Sequence, residues 1–327
     1  MKKEKTFNLL LLIILSHMQL LLAATAFGYH PGEMFSANKI DFTVKVKDDL
    51  ISYNVFSLFI GPEETVSVEV LDKKNRAASC RFPDGVINHQ SSNVWQWRAP
   101  RKPGHYPVAI SVGSPENSMT LNVFVMVPFA DLKGEYLNGY RIGKYPLPSR
   151  KKAKLYEHPA GFIEITKENE NVYISPHFKL KQFLCKQQSA YPKYLVLRER
   201  LLMKLEILLE EVNVRGHHCN TLTIMSGYRT PFYNKAIGNV AYSRHILGDA
   251  ADIYIDEHPC DGLMDDLNGD GKIDHKDSKV SYNIVEKIFG KPSYKKYIGG
   301  LGLYKATTTH GPFVHVDTRG VKARWGI

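Results

Sequence analysis

Three runs of alternating apolar and polar residues lie between Lys39 and Val127, and they limit the fold of this half of the chain more than any other feature. In each run the apolar residues are two positions apart. The members are Ile40, Phe42, Val44 and Val46; Val66, Val68 and Val70; and Leu121, Val123, Val125 and Val127. Alternation places successive side chains on opposite faces of a strand, so each run predicts a β-strand with one apolar face.

Turn signals such as Gly61-Pro62 and Pro103-Gly104 separate these predicted strands. Short alternating strands over ~90 residues are typical of a β-sandwich. The segment from Trp97 to Tyr106 also resembles the late strands of bacterial immunoglobulin-like domains. We therefore predict an N-terminal all-β sandwich of immunoglobulin-like type over residues 35–128. It contains no catalytic constellation, so we interpret it as a targeting or spacing module.

The first 26 residues have the pattern of a signal peptide. Three lysines near the N-terminus precede a mostly apolar run from Asn8 to Leu22, and Ala24-Thr25-Ala26 provides a small-x-small cleavage site. An uncleaved membrane anchor is the alternative, because the apolar run is long for a signal. No later stretch approaches the ~20 apolar residues that span a bilayer. We therefore predict an exported protein, periplasmic or associated with the cell wall, without a membrane span once the signal is cleaved.

Export defines the expected surroundings of the mature chain. The net charge is +10, and the signal contributes three lysines and one glutamate, which leaves +8. A basic exported protein suits a polyanionic cell wall, whereas scattered charge and export both disfavour nucleic acid as a partner. In an oxidising compartment the four cysteines could form two disulfides with three possible pairings. They are Cys80, Cys185, Cys219 and Cys260.

Residues 129–160 have no clear periodicity and are rich in Gly, Pro and Lys. We predict an ordered linker here, because Tyr136, Tyr140 and Tyr145 could hold it against one of the domains. Residues 161–327 then predict an α+β domain with an antiparallel sheet. Within it, Leu201, Leu205, Leu208 and Val212 have helical spacing and predict a helix from about Leu195 to Val212. A buried strand over 221–226 and a short helix after Thr230-Pro231 follow.

A ten-residue motif in this second region has the pattern of a metal site. It reads Ser243-x-His245-x-x-Gly248-x-Ala250-x-Asp252, which predicts a turn followed by a strand from Ala250 to Ile255. Imidazole nitrogen and carboxylate oxygen both suit Zn²⁺, and a catalytic zinc site has three protein ligands and one open position. The third ligand should come from another strand. His315 in Phe313-Val-His-Val-Asp317 fits, because alternation turns His315 and Asp317 to the same face.

The motif is preceded by Ser226-Gly-Tyr-Arg229 and followed by the late His315-x-Asp317. Together they resemble the D-alanyl-D-alanine metallopeptidase family of peptidoglycan enzymes, which shares its metal-site fold with the hedgehog signalling domain. The ending Phe313 to Gly320, followed by Trp325, resembles the periplasmic murein peptidase branch of that family. The resemblance covers residues 161–327, about half of the chain.

The resemblance implies that His245, Asp252 and His315 bind zinc. Arg229 would hold the substrate carboxylate or the developing oxyanion, and Ser243 is the other expected substrate-binding residue. The implied reaction is hydrolysis of a peptide bond in peptidoglycan stem peptides or crosslinks by a metal-activated water. Carboxypeptidase and endopeptidase activity both stay open, since the shape of the cleft decides between them.

The general base is the point at which this chain departs from the family. Many members carry an acidic residue three positions before the last zinc ligand, and here that position is Pro312. Asp317 is the next candidate for the catalytic base. Alternatively, Asp317 orients His315 through the other ring nitrogen. His310 is a further possibility.

A second motif predicts a calcium site of EF-hand type at residues 266–277. Gly271 stands at loop position 6, where the turn is tight, and Lys272 would offer its backbone carbonyl. The predicted calcium ligands are Asp266, Asn268, Asp270, Lys272, Asp274 and Asp277. The last ligand is Asp rather than Glu, and a solvated acidic loop is the alternative.

Two non-enzymatic interpretations remain. One is a zinc- and calcium-stabilised module that binds the cell wall without catalysis, as hedgehog-type domains show is possible on this framework; Pro312 favours it. The other is an adhesive protein whose function lies in the β-sandwich.

Overall fold

The computed structural model describes residues 35–147 and 155–326. The predicted signal peptide, residues 1–26, lies outside them. The first nine strands belong to two sheets. They are β1 (Lys39–Val46), β2 (Asp49–Tyr53), β3 (Val55–Ile60), β4 (Thr65–Leu71), β5 (Ala78–Arg81), β6 (Val86–Ser91), β7 (Val94–Arg98), β8 (Gly104–Val112) and β9 (Ser114–Val125). The first sheet has the order β2-β1-β4-β7-β6, and the second has the order β3-β9-β8-β5. All neighbours are antiparallel except β3 and β9, which are parallel.

Apart from Val127, which lies outside them, the alternating runs of the sequence form the apolar faces of these sheets. Of the eleven run residues, only Ile40 is not buried. Trp97 is fully buried and stacks on Phe82 with ring centroids 5.6 Å apart. Burying one such side chain stabilises the fold by about 1.5–3 kcal/mol. The prediction of a β-rich first region is confirmed, and its immunoglobulin-like type stays a prediction.

The predicted linker contains short elements of its own. They are β10 (Val127–Pro128), a 3₁₀ turn (Phe129–Asp131), β11 (Tyr136–Leu137) and β12 (Tyr140–Arg141). Tyr140 and Tyr145 are buried, whereas Tyr136 is 47% exposed. The hydroxyl of Tyr145 lies 3.0 Å from that of Tyr228, which directly precedes Arg229. The domain boundaries on either side of this segment stay predictions.

The second region contains the remaining strands and three α-helices. The strands are β13 (Gly161–Ile165), β14 (Tyr173–Ser175), β15 (Phe178–Lys179), β16 (Lys193–Leu195), β17 (Thr223–Ser226), β18 (Ala250–Tyr254), β19 (Gly300–Tyr304), β20 (Phe313–Asp317) and β21 (Ala323–Trp325). The helices are α1 (Glu199–Val214), α2 (Pro231–Ala236) and α3 (His275–Phe289).

A five-stranded sheet with the order β17-β18-β20-β19-β21 is the centre of this region. Its pairings are antiparallel as predicted, except that the edge strand β21 is parallel to β19. Helix α3 packs on β19 and β20 and also contacts α1. Helix α1 begins at Glu199 rather than near Leu195, because residues 193–195 pair with β13 as strand β16. The apolar residues Leu195 to Leu197 are therefore buried outside the helix.

Helix α1 also contacts the first region through its acidic side chains. The backbone N–H of Phe59 donates to Glu199 Oε1 over 3.0 Å, and the Tyr53 hydroxyl donates to Glu210 Oε1 over 2.6 Å. The four cysteines are free, so no disulfide joins them in the structure. No helix within the described ranges is long and apolar enough to cross a membrane.

Candidate metal centre

Three predicted ligands meet where a tight turn joins the middle of the central sheet. His245 lies in a 3₁₀ turn, Arg244–Leu247, while Asp252 is in β18 and His315 is in β20. Asp252 and His315 are direct partners in the register of the two strands. Gly248 ends the turn with a φ of 68°, a conformation that favours glycine. The strand pairing and the turn together bring the three side chains to one point.

The ligand atoms of these side chains are within contact distance of one another. His245 Nε2 lies 3.2 Å from Asp252 Oδ1 and 3.2 Å from His315 Nδ1, and His315 Nδ1 lies 2.8 Å from Asp252 Oδ1. All three residues are buried. Across residues 35–147 and 155–326, this is the only group that brings three His, Cys, Asp or Glu ligand atoms within 4.8 Å.

The outer ring nitrogens determine which atoms face the centre. His245 Nδ1 lies 2.7 Å from the backbone carbonyl of Gly227, so Nδ1 is assigned the proton and Nε2 the lone pair. His315 Nε2 lies 3.3 Å from Asp317 Oδ2, which assigns the proton to Nε2 and the lone pair to Nδ1. With this assignment, two imidazole nitrogens and one carboxylate oxygen face the same point, and the group could hold a metal ion.

Asp317 lies on the far side of the His315 ring from the centre. Its carboxylate accepts hydrogen bonds from the Gly300 N–H over 2.7 Å and from Arg319 Nε over 2.9 Å and Nη2 over 2.5 Å. Burial would raise the pKa of Asp317, but the bonds from His315 and Arg319 hold the pKa well below its usual range. This geometry favours the second of its two predicted roles, orientation of His315, over that of the base.

Lys204 on helix α1 bonds to the backbone at the end of β20, the strand that carries His315 and Asp317. It is fully buried on α1, and its Nζ donates to the backbone carbonyls of Asp317 over 2.9 Å and Tyr297 over 3.2 Å. Burial lowers the pKa of Lys204 to about 8. Neither Lys204 nor Arg319 was among the predicted site residues. The signals were a lysine within the apolar stripe of α1 and an arginine two positions after Asp317.

Arg229 is bonded to the centre itself. Its Nη2 donates to Asp252 Oδ2 over 2.5 Å and its Nε donates to Ser226 Oγ over 2.8 Å. The guanidinium therefore holds the carboxylate of a candidate ligand. Nη1 is the one guanidinium nitrogen without a hydrogen bond to a residue that the structure describes. Ser243, the other predicted substrate-binding residue, directly precedes the turn that carries His245.

A cavity of about 700 Å³ opens onto the three ligands. Its wall includes Arg229, Ser243, His310 and Trp325. Asp252 is the only carboxylate among the described residues that line it. Pro312, at the position where the family carries an acid, lines a second cavity of about 690 Å³ next to the first.

The predicted calcium loop precedes α3. Asp277 is buried in the first turn of α3, where it accepts the N–H of Leu267 over 3.0 Å and that of Asp274 over 2.8 Å. Asp266 accepts the N–H of Gly271 over 2.7 Å. The carboxylates are thus bonded to the loop backbone, and within the described ranges no three of them converge as His245, Asp252 and His315 do. The calcium site stays a prediction.

Comparison with known proteins gives two findings. Residues 176–268 match the model of the peptidase M15 family. The chain is also similar to the structure of LD transpeptidase LdtMt1 in complex with imipenem, with 19% identity over 25% of this chain and 38% of that chain, and a TM-score of 0.15. No curated protein matches the chain. The M15 match covers Arg229, Ser243, His245 and Asp252, and it supports a peptidase.

Proposed function

We propose that this protein is an exported zinc-dependent peptidase that hydrolyses peptide bonds of peptidoglycan stem peptides or crosslinks. The observation that carries the proposal is the convergence of His245 Nε2, His315 Nδ1 and Asp252 Oδ1, with both outer ring nitrogens bonded to acceptors. The match of residues 176–268 to M15 peptidases includes two of these three residues. The net charge of +8 that remains after the predicted signal peptide is removed suits a substrate in a polyanionic wall.

The donor set fits zinc better than the other common metals. Two imidazole nitrogens and one carboxylate oxygen are typical of catalytic zinc, whereas magnesium and calcium prefer oxygen ligands. Bound zinc would polarise the scissile carbonyl and lower the pKa of a water molecule. Arg229 would hold Asp252 in position with Nη2 and offer Nη1 to the negative charge that develops on the substrate oxygen. Ser243 would contribute to substrate binding from the cavity wall.

We assign the role of proton acceptor to His310. It lines the cavity that opens onto the ligands and also lines the neighbouring cavity. Asp317 is committed to His315, Arg319 and the Gly300 N–H, and it lies behind the His315 ring. Histidine is the side chain that most often serves as a general base in enzymes.

The alternative is a zinc-stabilised wall-binding module without catalysis. The observation in its favour is that no carboxylate other than Asp252 lines the cavity among the described residues. A binding module needs the metal only for stability, so it would retain zinc and bind muropeptides without releasing fragments.

One experiment separates these two functions. Purified mature protein is expected to contain one zinc per chain by elemental analysis and to release fragments from muropeptides. Chelation should stop the release and added zinc should restore it. His310→Gln should lower kcat without lowering the zinc content. Bound zinc with no fragments from any muropeptide would support the binding module instead, and a zinc-free, inactive protein would contradict both.

We also propose that residues 266–277 bind calcium as a structural clamp. Asp266 and Asp270 are exposed, and Gly271 has a φ of 78°, as the tight turn of an EF-hand loop requires. A ligand that binds only the folded state at 100 times its Kd stabilises that state by about 2.7 kcal/mol.

A calcium-selective chelator is therefore expected to lower the melting temperature of the zinc-loaded protein by several degrees. Differential scanning calorimetry with and without calcium measures the shift. Asp266→Ala should reduce the response to calcium, whereas Asp261→Ala, outside the loop, should not. Equal melting temperatures with and without calcium would rule out the clamp.

A further inference from the structure

A second cavity adjoins the cavity that opens onto the candidate metal centre. The two volumes are about 700 and 690 Å³, and both are lined by Arg229 and His310. These two residues therefore stand between the volumes, with the metal ligands on one side only. Each volume is in the range of a pocket that takes a small ligand. A substrate in the first cavity thus has room to continue past Arg229.

The second cavity carries positive charge and no described carboxylate. Its cationic side chains are Lys186 and Arg229, and its apolar lining includes Met225, Leu263 and Met264. No Asp or Glu of residues 35–147 or 155–326 lines it. The volume is therefore suited to a peptide that bears a negative group.

Lys186 is the cation of this cavity that is available to bind a negative group of a substrate. It is exposed, and its ammonium group has no ion pair with a residue in the described part of the chain. Arg229, in contrast, uses Nη2 and Nε to hold Asp252 and Ser226. A substrate carboxylate in the second cavity would therefore meet Lys186 rather than the arginine.

We propose that the second cavity is a subsite for a substrate residue with a free carboxylate, and that Lys186 determines this preference. The inference rests on the proposed peptidase function and makes it more specific.

The test uses pairs of synthetic stem peptides that differ in one group. In each pair, the residue expected in the second cavity carries either a free carboxylate or the primary amide. The zinc-loaded protein is expected to cleave the peptide with the free carboxylate with a kcat/KM about tenfold higher than that for the peptide with the amide. The difference should lie mainly in KM, because the carboxylate can form a hydrogen bond between charged groups with Lys186. Lys186→Ala should abolish the preference, and Lys186→Glu should reverse it.

A control and a second measurement keep the subsite and the peptidase function distinguishable. Lys181→Ala is the matched control, because Lys181 is exposed on the same segment but lines neither cavity. Binding of the same pairs, with the scissile amide replaced by a non-cleavable methylene-amine, is measured by calorimetry. Tighter binding of the acid that depends on Lys186 would support the subsite even if no peptide were cleaved. Equal binding of acid and amide, or an acid preference that survives Lys186→Glu, would overturn it.

Discussion

Replacement of His315 by alanine is expected to remove both the zinc and the hydrolytic activity. His315 Nδ1 is 2.8 Å from Asp252 Oδ1 and 3.2 Å from His245 Nε2, so its loss leaves two ligands. A metal contributes several kcal/mol to the transition state, and each 1.36 kcal/mol is tenfold in rate. We therefore expect a loss of on the order of 1000-fold or more in kcat/KM on muropeptides. Elemental analysis should find zinc well below one per chain.

A companion substitution, Asp317→Asn, should have a graded effect. The amide oxygen can still accept a hydrogen bond from His315 Nε2, but the charge that pairs with Arg319 is lost. Loss of a carboxylate behind a ligating histidine costs about 10- to 100-fold in metal affinity. Zinc titration against a competing chelator measures the change. If zinc affinity were unchanged while kcat fell, Asp317 would be the base and our assignment to orientation would be wrong.

Gly248→Ala is expected to destabilise the fold strongly. The φ of Gly248 is 68°, and a Cβ there would lie 2.3 Å from the carbonyl oxygen of Val196. The left-handed conformation costs about 1–2 kcal/mol for a residue with a Cβ. The contact with Val196 adds to this cost, because a backbone atom cannot move aside as a flexible side chain can. The Arg198 N–H also donates to the Gly248 carbonyl over 3.0 Å, which holds the two segments together. We expect a total of about 3 kcal/mol or more, measured by urea unfolding.

Gly216→Ala is the matched control for this effect. Gly216 has a φ of 86° but no atom within 4 Å of the position of a Cβ. It should show only the conformational cost, about 1–2 kcal/mol. If the two alanine variants were equally stable, the close approach of the turn to Val196 would not matter, and the glycine in the motif would need another explanation.

Three strands of the first region, β1, β4 and β9, were predicted from the sequence because alternate residues along them are buried. Val44 and Val68 are examples. Apolar residues at every second position can all be buried at once only in a strand that packs one face against a core. The start of α1 was predicted too early, because Leu195 to Leu197 are apolar and helical spacing cannot distinguish a buried strand from the first turn of a helix.

The sequence identified the three side chains that meet in the candidate metal centre, but not the residues that bond to them. Fixed spacing in one motif identifies His245 and Asp252, and alternation in β20 identifies the face of His315. The bond from Arg229 to Asp252 depends on how β17 and β18 pair, and the bond from Arg319 to Asp317 depends on how the chain bends after β20. These are tertiary features without a local signal. For the same reason, the sequence could not determine that the four cysteines are free.

The direct pairing of Asp252 with His315 across β18 and β20 has a consequence for folding. A slip of one residue between two strands turns every side chain of one strand to the opposite face. In such a slipped sheet the imidazole and the carboxylate would face away from each other, and no ion could be held by both. A bound metal ion would therefore stabilise only the native alignment of the two strands. It would disfavour sheets that assemble in a slipped register.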